Sequence, residues 1–258
     1  EYLHEKDYMK NIDTILGTSI GRIIGYLIII GYTPEELYNI IISIEFSKLY
    51  DIKICSFLDN YGIDTCKNID DILIKLTVDK GFSKEITFIN LYNITNKKLI
   101  ITTACLNNMS LKYFDYISNP NENVLNIIRK SISIPLLFCP TTFEENIYID
   151  ANVLDVFPHM NLLDDKNTLG LLISTIQNEN KTQQINNIED YLLQVSKCIL
   201  KGITNITKCI FNKYTNIIFI KTININIFNF NIEDKLKKQI FLDGYLSTKK
   251  YFLNQKNI

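Results

Sequence analysis

The sequence predicts one α/β domain with a mostly parallel central sheet and helices on both faces. Three observations carry this expectation. Short β-branched runs alternate with stretches of helical spacing along the whole chain, the order that yields parallel strands joined by covering helices. Of the 258 residues 47% are hydrophobic and 21% charged, enough apolar side chains to bury a sizeable core. No internal repeat or long linker interrupts the pattern, so 1–258 reads as a single domain. In it, 1–160 form the first part and 161–258 add strands and helices that complete it.

The elements follow in order. Residues 1–10 resemble the end of a helix, and 12–16 form a short apolar strand. Residues 20–30 form an apolar helix closed by Gly31, a suitable C-cap. Thr33-Pro34-Glu35-Glu36 opens the next helix with an N-cap, a proline in the first turn and a capping box, and that helix is expected to reach about Lys48. Helices are expected near 69–76, 87–92, 124–131, 188–203 and 233–253. Strands are expected at 99–104, 146–150, 169–174 and 217–220.

Composition narrows the function. A net charge of −1 leaves no basic excess for nucleic acid and no strong attraction to an anionic membrane. Contact with a lipid surface must then be local, transient and partly apolar. The six cysteines (Cys55, Cys66, Cys105, Cys139, Cys198, Cys209) include no Cys-x-x-Cys pair, and His4 and His159 stand apart from them. A zinc site needs closely spaced ligands, so neither a metal nor a cofactor is expected. The cysteines read as reduced thiols of an intracellular protein, soluble or peripheral at membranes. The densest apolar stretch, 23–30, is too short to span a bilayer. Abundant Ile, Asn and Lys reflect AT-rich codons, and the oligomeric state is left open.

The strongest chemical signal is Gly17-Thr18-Ser19-Ile20-Gly21, set between an expected strand and an expected helix. A nucleophile elbow requires that context. A sharp turn exposes the serine hydroxyl, the flanking glycines admit neighbouring backbone, and the helix N-terminus faces a developing oxyanion. The Ile20 backbone amide can supply one oxyanion donor. A serine nucleophile also needs a base. Ser19, Asp150 and His159 satisfy the chain order of an α/β-hydrolase triad, but a separation of nine positions from acid to histidine leaves little room for the usual intervening elements.

The elbow continues into Gly31-Tyr32-Thr33-Pro34-Glu35-Glu36-Leu37, and this pair of segments resembles the patatin-like phospholipases. A second landmark of that family, a strand ending in Asp-Gly followed by an apolar stretch and proline, is matched by Tyr148-Ile149-Asp150-Ala151 and on to Pro158. Arg129-Lys130-Ser131-Ile132-Ser133-Ile134-Pro135 is similar to a third block, and 99–107 to the central strand and its turn. Phe228 to Asn231 and Leu242 to Tyr245 resemble the tail of compact viral and bacterial members. The resemblance implies a three-layer fold and a lipid acyl hydrolase without cofactor. It also implies a dyad in which Asp150 takes the proton of Ser19. Ser19 and Asp150 would then meet at the C-terminal ends of two strands. Two features depart from the pattern. Ala151 stands where the family has glycine, and the glycine-rich loop upstream of the elbow, source of further oxyanion amides, is missing. A strand and that loop, roughly 20 to 40 residues, are therefore expected to precede Glu1. A catalytically inactive lipid-binding or interaction module, and a triad esterase using His159, are the competing readings.

Overall fold

The structure, a computed structural model, describes residues 1–53, 55–155, 167–176, 184–211, 216–223 and 232–255. A short helix α1 (Tyr2–Glu5) leads through a 3-10 turn into strand β1 (Thr14–Gly17), and helix α2 (Ile20–Ile29) starts after a two-residue turn. Gly31 ends α2 with φ 96°, the left-handed conformation that a C-capping glycine adopts. Helix α3 (Pro34–Ser43) begins with the full capping box: the Glu36 amide donates to the Thr33 hydroxyl, and the Thr33 amide to the Glu36 carboxylate. It stops short of Lys48 because Ile44 turns extended, and a separate 3-10 turn covers Phe46–Lys48. Helix α4 (Cys55–Asn60), strand β2 (Gly62–Asp64), α5 (Lys67–Asp79) and α6 (Phe88–Thr95) follow.

Strand β3 (Lys98–Cys105) is buried along nearly its whole length and is the axis of the main sheet. After it come β4 (Ser110–Phe114), α7 (Val124–Ser131), β5 (Leu136–Phe138), β6 (Thr141–Phe143) and β7 (Asn146–Asp150). Strand β8 (Gly170–Ile176), helix α8 (Ile188–Phe211), strand β9 (Ile217–Ile223) and helix α9 (Asp234–Gln255) complete the chain. The main core lies between β3 and the helices around it: Tyr26 and Leu27 of α2, Leu91 of α6, and Val124, Ile127 and Ile128 of α7. A smaller core joins Ile63, Leu137 and Phe138 of the β2–β5 pair to Leu192 of α8.

The layered α/β architecture is as expected, but the sheet is mixed rather than mostly parallel. β1 runs parallel to β3, whereas β4 and β7 run antiparallel to it and β6 antiparallel to β7. The reason is the tight turn at 106–109, which sends the chain straight back along β3 where a parallel neighbour would need a long crossover. Parallel pairing recurs in β2–β5 and β8–β9.

The registers place the site. Ile101 pairs with both Gly17 and Phe114, and Thr103 pairs with both Asp150 and Lys112. A strand residue has two edges, and β4 occupies one of them along Ile101 to Cys105. Strands β1 and β7 must therefore share the other edge. They point at one another, and their C-terminal ends are separated by the single residue Thr102.

The C-terminal helix clamps the first part of the chain. Lys237, buried on α9, donates from Nζ to the carbonyls of Ile42 (3.0 Å) and Ile44 (2.8 Å), satisfying the C-terminal end of α3. Tyr245 donates to Glu5 (3.0 Å), and Tyr2 stacks on Phe252. Lys237→Met removes both charge-assisted bonds, each worth about 1.5–3 kcal/mol. It is predicted to lower the unfolding free energy by at least that much in urea titrations. An unchanged midpoint would show that this cap contributes nothing.

Candidate active site

The elbow is built by backbone geometry. Ser19 lies between β1 and α2 with φ 48° and ψ −131°, a conformation that L-residues rarely hold. Such strain costs on the order of 1–3 kcal/mol and persists only where the surroundings enforce it. Ser19 occupies the N-cap position of α2, yet its hydroxyl caps nothing. Thr33, Thr87 and Asn123 at the starts of other helices do spend their side chains on their own N-termini. The half-buried Ser19 hydroxyl is thereby left for another partner. As the first residue of α2, Ile20 has an amide outside the helix's own hydrogen-bond ladder, and its side chain is 61% exposed.

The two elbow glycines differ in what they do. A Cβ on Gly17 would lie 2.7 Å from the Arg22 amide nitrogen and 2.7–2.8 Å from the Gly21 carbonyl group, all of it backbone. At Gly21 a Cβ would meet nothing within 4 Å. The expectation that both glycines admit close backbone therefore holds for Gly17 and fails for Gly21, which lies exposed in the first turn of α2.

Asp150 ends β7 and is 1% exposed. Its Oδ1 accepts the Asn152 amide at 3.0 Å, and its Oδ2 has no partner among the described residues. Burial raises its proton affinity above the ordinary aspartate range. The Arg22 charge, the Ser19 hydroxyl and the Asn152 amide pull the other way without cancelling that effect. Ser19 thus lies near enough to favour the carboxylate, while Oδ2 remains without a completed hydrogen bond. Ala151 follows in a 3-10 turn (Ala151–Val153) and is not among the residues with positive φ. Alanine in place of the family's glycine carries no backbone penalty here.

Sequence reasoning missed Arg22, which is 0% exposed inside the apolar helix. Nε donates to the Gly17 carbonyl (2.7 Å), Nη2 to the Thr102 hydroxyl (2.8 Å) and Nη1 to the Ser131 carbonyl. Nη1 also stands 3.9 Å from Asp150 Oδ1. Burial lowers the Arg22 pKa to about 10 against the opposing pull of Asp150. The missed signal was the charge itself, since an arginine in the run 20–30 must find partners if that helix is buried. Arg129 braces the other side. It donates to Ser133 Oγ (2.7 Å) and to the carbonyls of Thr65 and Cys139 (2.9 Å each). The Ser133 carbonyl in turn accepts the Asp150 amide at 2.9 Å. The segment Arg129 to Pro135 therefore supplies one carbonyl to Arg22 and another to Asp150.

His159, the remainder of the Asp150 landmark at 156–158, and the tail motif 228–231 lie outside the described residues. Among the described residues no group of three or more potential ligands could hold a metal ion, and no helix is long and apolar enough to cross a membrane.

Residues 1–163 match the family model described as patatin-like phospholipase. Uncharacterized protein R571 of Acanthamoeba polyphaga mimivirus is 29% identical over 257 residues, covering 95% of this chain and 84% of that protein. Probable lipid hydrolase 463L of Invertebrate iridescent virus 6 is 31% identical over 156 residues, 58% of this chain and 53% of that protein. Two solved structures share the fold. VipD from Legionella pneumophila superposes with a TM-score of 0.63 at 15% identity, over 97% of this chain and 62% of its own. The type III effector ExoU gives 0.54 at 12%, over 98% and 49%. The chain therefore spans about half of the iridescent-virus protein and of ExoU, and under two thirds of VipD.

The glycine asymmetry yields a prediction. Gly17→Ala forces its Cβ into backbone and is expected to lower stability by about 1–3 kcal/mol or more. Gly21→Ala adds a good helix former at an open position and should leave stability equal or up to about 1 kcal/mol higher. Thermal melts of the two variants check this, and equal losses would contradict the close approach at Gly17.

Proposed function

The chain belongs to the patatin-like phospholipase family, and from that premise we propose that it hydrolyses carboxylic esters of phospholipids or related lipids through Ser19 and Asp150. The observation that carries this reading is an uncapped serine hydroxyl in a strained elbow, set beside a buried carboxyl oxygen with no other partner among the described residues.

Ser19 Oγ attacks the ester carbonyl as Asp150 Oδ2 takes the hydroxyl proton. The tetrahedral oxyanion faces the N-terminus of α2, with the Ile20 amide as one donor. Return of the proton to the departing alkoxide leaves an acyl-serine, and a water deprotonated by Asp150 then releases the fatty acid. Burial serves this role, because a carboxylate of ordinary pKa is a weak base, and raising its proton affinity strengthens it.

A lipid surface fits the same rim. Ile20 beside the serine and Leu154 after Asp150 are exposed, as are Leu106 and Met109 at the tip of the β3–β4 turn. That tip begins beyond Cys105, two residues past Thr103, or ~7 Å farther along the strand direction than Asp150. These apolar side chains provide the local contact that a net charge of −1 requires.

Ser19→Ala and Asp150→Asn are each predicted to reduce turnover of a lipid ester at least about a thousandfold, with the double variant no worse than either single one, because members of one catalytic unit fail together. His159→Ala should keep most activity. The base acts only when ionised, so kcat/KM should rise with pH along an acid limb above the ordinary aspartate value of 3.8. The sign for stability is opposite. The folded state holds this proton more tightly than the unfolded chain, so the stability contributed by Asp150 declines as pH rises through its folded pKa. Substantial turnover in Ser19→Ala refutes the nucleophile, and a thousandfold loss in His159→Ala replaces the dyad with a triad.

A further inference from the structure

We propose that Arg22 is the positioning residue of this dyad: its guanidinium, bonded to three neighbours of Asp150 instead of to Asp150 itself, fixes a positive charge 3.9 Å from Oδ1 and leaves Oδ2 open to the serine. The inference rests on the reading of Ser19 and Asp150 as nucleophile and base.

The arrangement resolves a conflict inherent in a buried base. An unassisted carboxylate in this 1% exposed site would hold its proton too tightly to ionise. A direct bidentate arginine would cure that by occupying both oxygens, and the oxygen that must accept the serine proton would be blocked. Arg22 avoids both outcomes because three of its five N–H groups, one on each nitrogen, are committed elsewhere. Nε holds the Gly17 carbonyl at the end of β1, Nη2 the Thr102 hydroxyl between the two strand ends, and Nη1 the Ser131 carbonyl at the end of α7. These bonds lock the guanidinium plane, so the charge acts on Asp150 through space while the same fork ties the elbow to β3 and to the end of α7.

No other described group competes for this role. From β3 the ionisable neighbour is Cys105, a buried thiol. From α7 come Arg129, committed to Ser133, Thr65, Cys139 and Asp70, and Lys130, which lies over the Phe143 ring. β6 carries no charged residue, Lys112 of β4 pairs with Glu144 and lies over the Tyr148 ring of β7, and α8, packed on the turn after Asp150, forms no ion pair with it among the described residues. Arg22 is the one cation among the described residues within 4 Å of the carboxylate.

The test compares wild type, Arg22→Lys and Arg22→Met in the full chain. The carboxyl titration of Asp150 is read by NMR on protein labelled with ¹³C at aspartate side chains, assigned with Asp150→Asn, alongside pH profiles of kcat and KM. Removing an opposite charge at this distance should move the Asp150 titration in Arg22→Met upward by roughly 1 to 3 pH units, with the acid limb of kcat/KM moving in step. KM should stay near the wild-type value, because a fully buried side chain cannot touch substrate. Arg22→Lys keeps the charge and loses the fork: its acid limb should stay within about half a unit of wild type while kcat falls about tenfold or more. A folded Arg22→Met whose Asp150 titrates as in wild type overturns the proposal. If Arg22→Met does not fold, Arg22→Lys decides, and wild-type kcat in that variant also overturns it. An Asp150 titration that moves while the acid limb stays fixed supports the placement of Arg22 and refutes Asp150 as the base, so the two failures are distinguishable.

Discussion

A guanidinium removed from water must have its N–H groups met by acceptors, and at Arg22 that demand fixes the geometry of four segments at once. The acceptors are the end of β1, the middle of β3 and the end of α7, with the terminal carboxylate of β7 alongside. Removing one member of a buried charge pair commonly costs about 3–5 kcal/mol, because the remaining charge is left uncompensated. The site is therefore coupled to the fold. Shifting the elbow, or sliding β7 by one residue along β3, would strand this charge. The strain at Ser19 is bracketed by the same residue, since the Arg22 side chain donates to the Gly17 carbonyl and the Arg22 amide to the Ser19 carbonyl.

The sheet explains how residues 131 positions apart meet without a second domain. Two strands converge head to head on one edge of β3, so Ser19, two residues past the end of β1, and Asp150, at the end of β7, come together at strand ends separated by Thr102. A purely parallel sheet would achieve such a meeting by placing two C-terminal ends side by side. Here the antiparallel return of β7 brings them end to end. The outer edge of β3 is covered by β4, which leaves a buried, rigid strand as the platform on which both groups rest.

Much of this was legible in the sequence, and what was not has a physical cause. The capping box at Thr33, the C-cap at Gly31 and the β-branched run of β3 are local signals, determined within a few residues, and each appears where expected. The tight turn at 18–19 between a strand and a helix was legible for the same reason. The hairpin β3–β4 turns on the local segment 106–109, a signal that the reading of alternating strands and helices passed over, whereas the orientation of β7 depends on which strands pair, which no local pattern encodes. The premature end of α3 is non-local too: its last carbonyls are met by Lys237 on the final helix. Arg22 falls between these cases. Its charge within an apolar run announced a buried partner, but the partner's identity required Asp150 to be brought to it from the far end of the core.

The central claim is that a strained serine is activated by the carboxylate facing it, and covalent trapping tests it most directly. The account predicts that a fluorophosphonate probe modifies the wild-type chain stoichiometrically, with the adduct on the peptide containing Ser19, and that Asp150→Asn slows this labelling by orders of magnitude while remaining folded. An adduct on another residue, or equal labelling rates in wild type and Asp150→Asn, would contradict it.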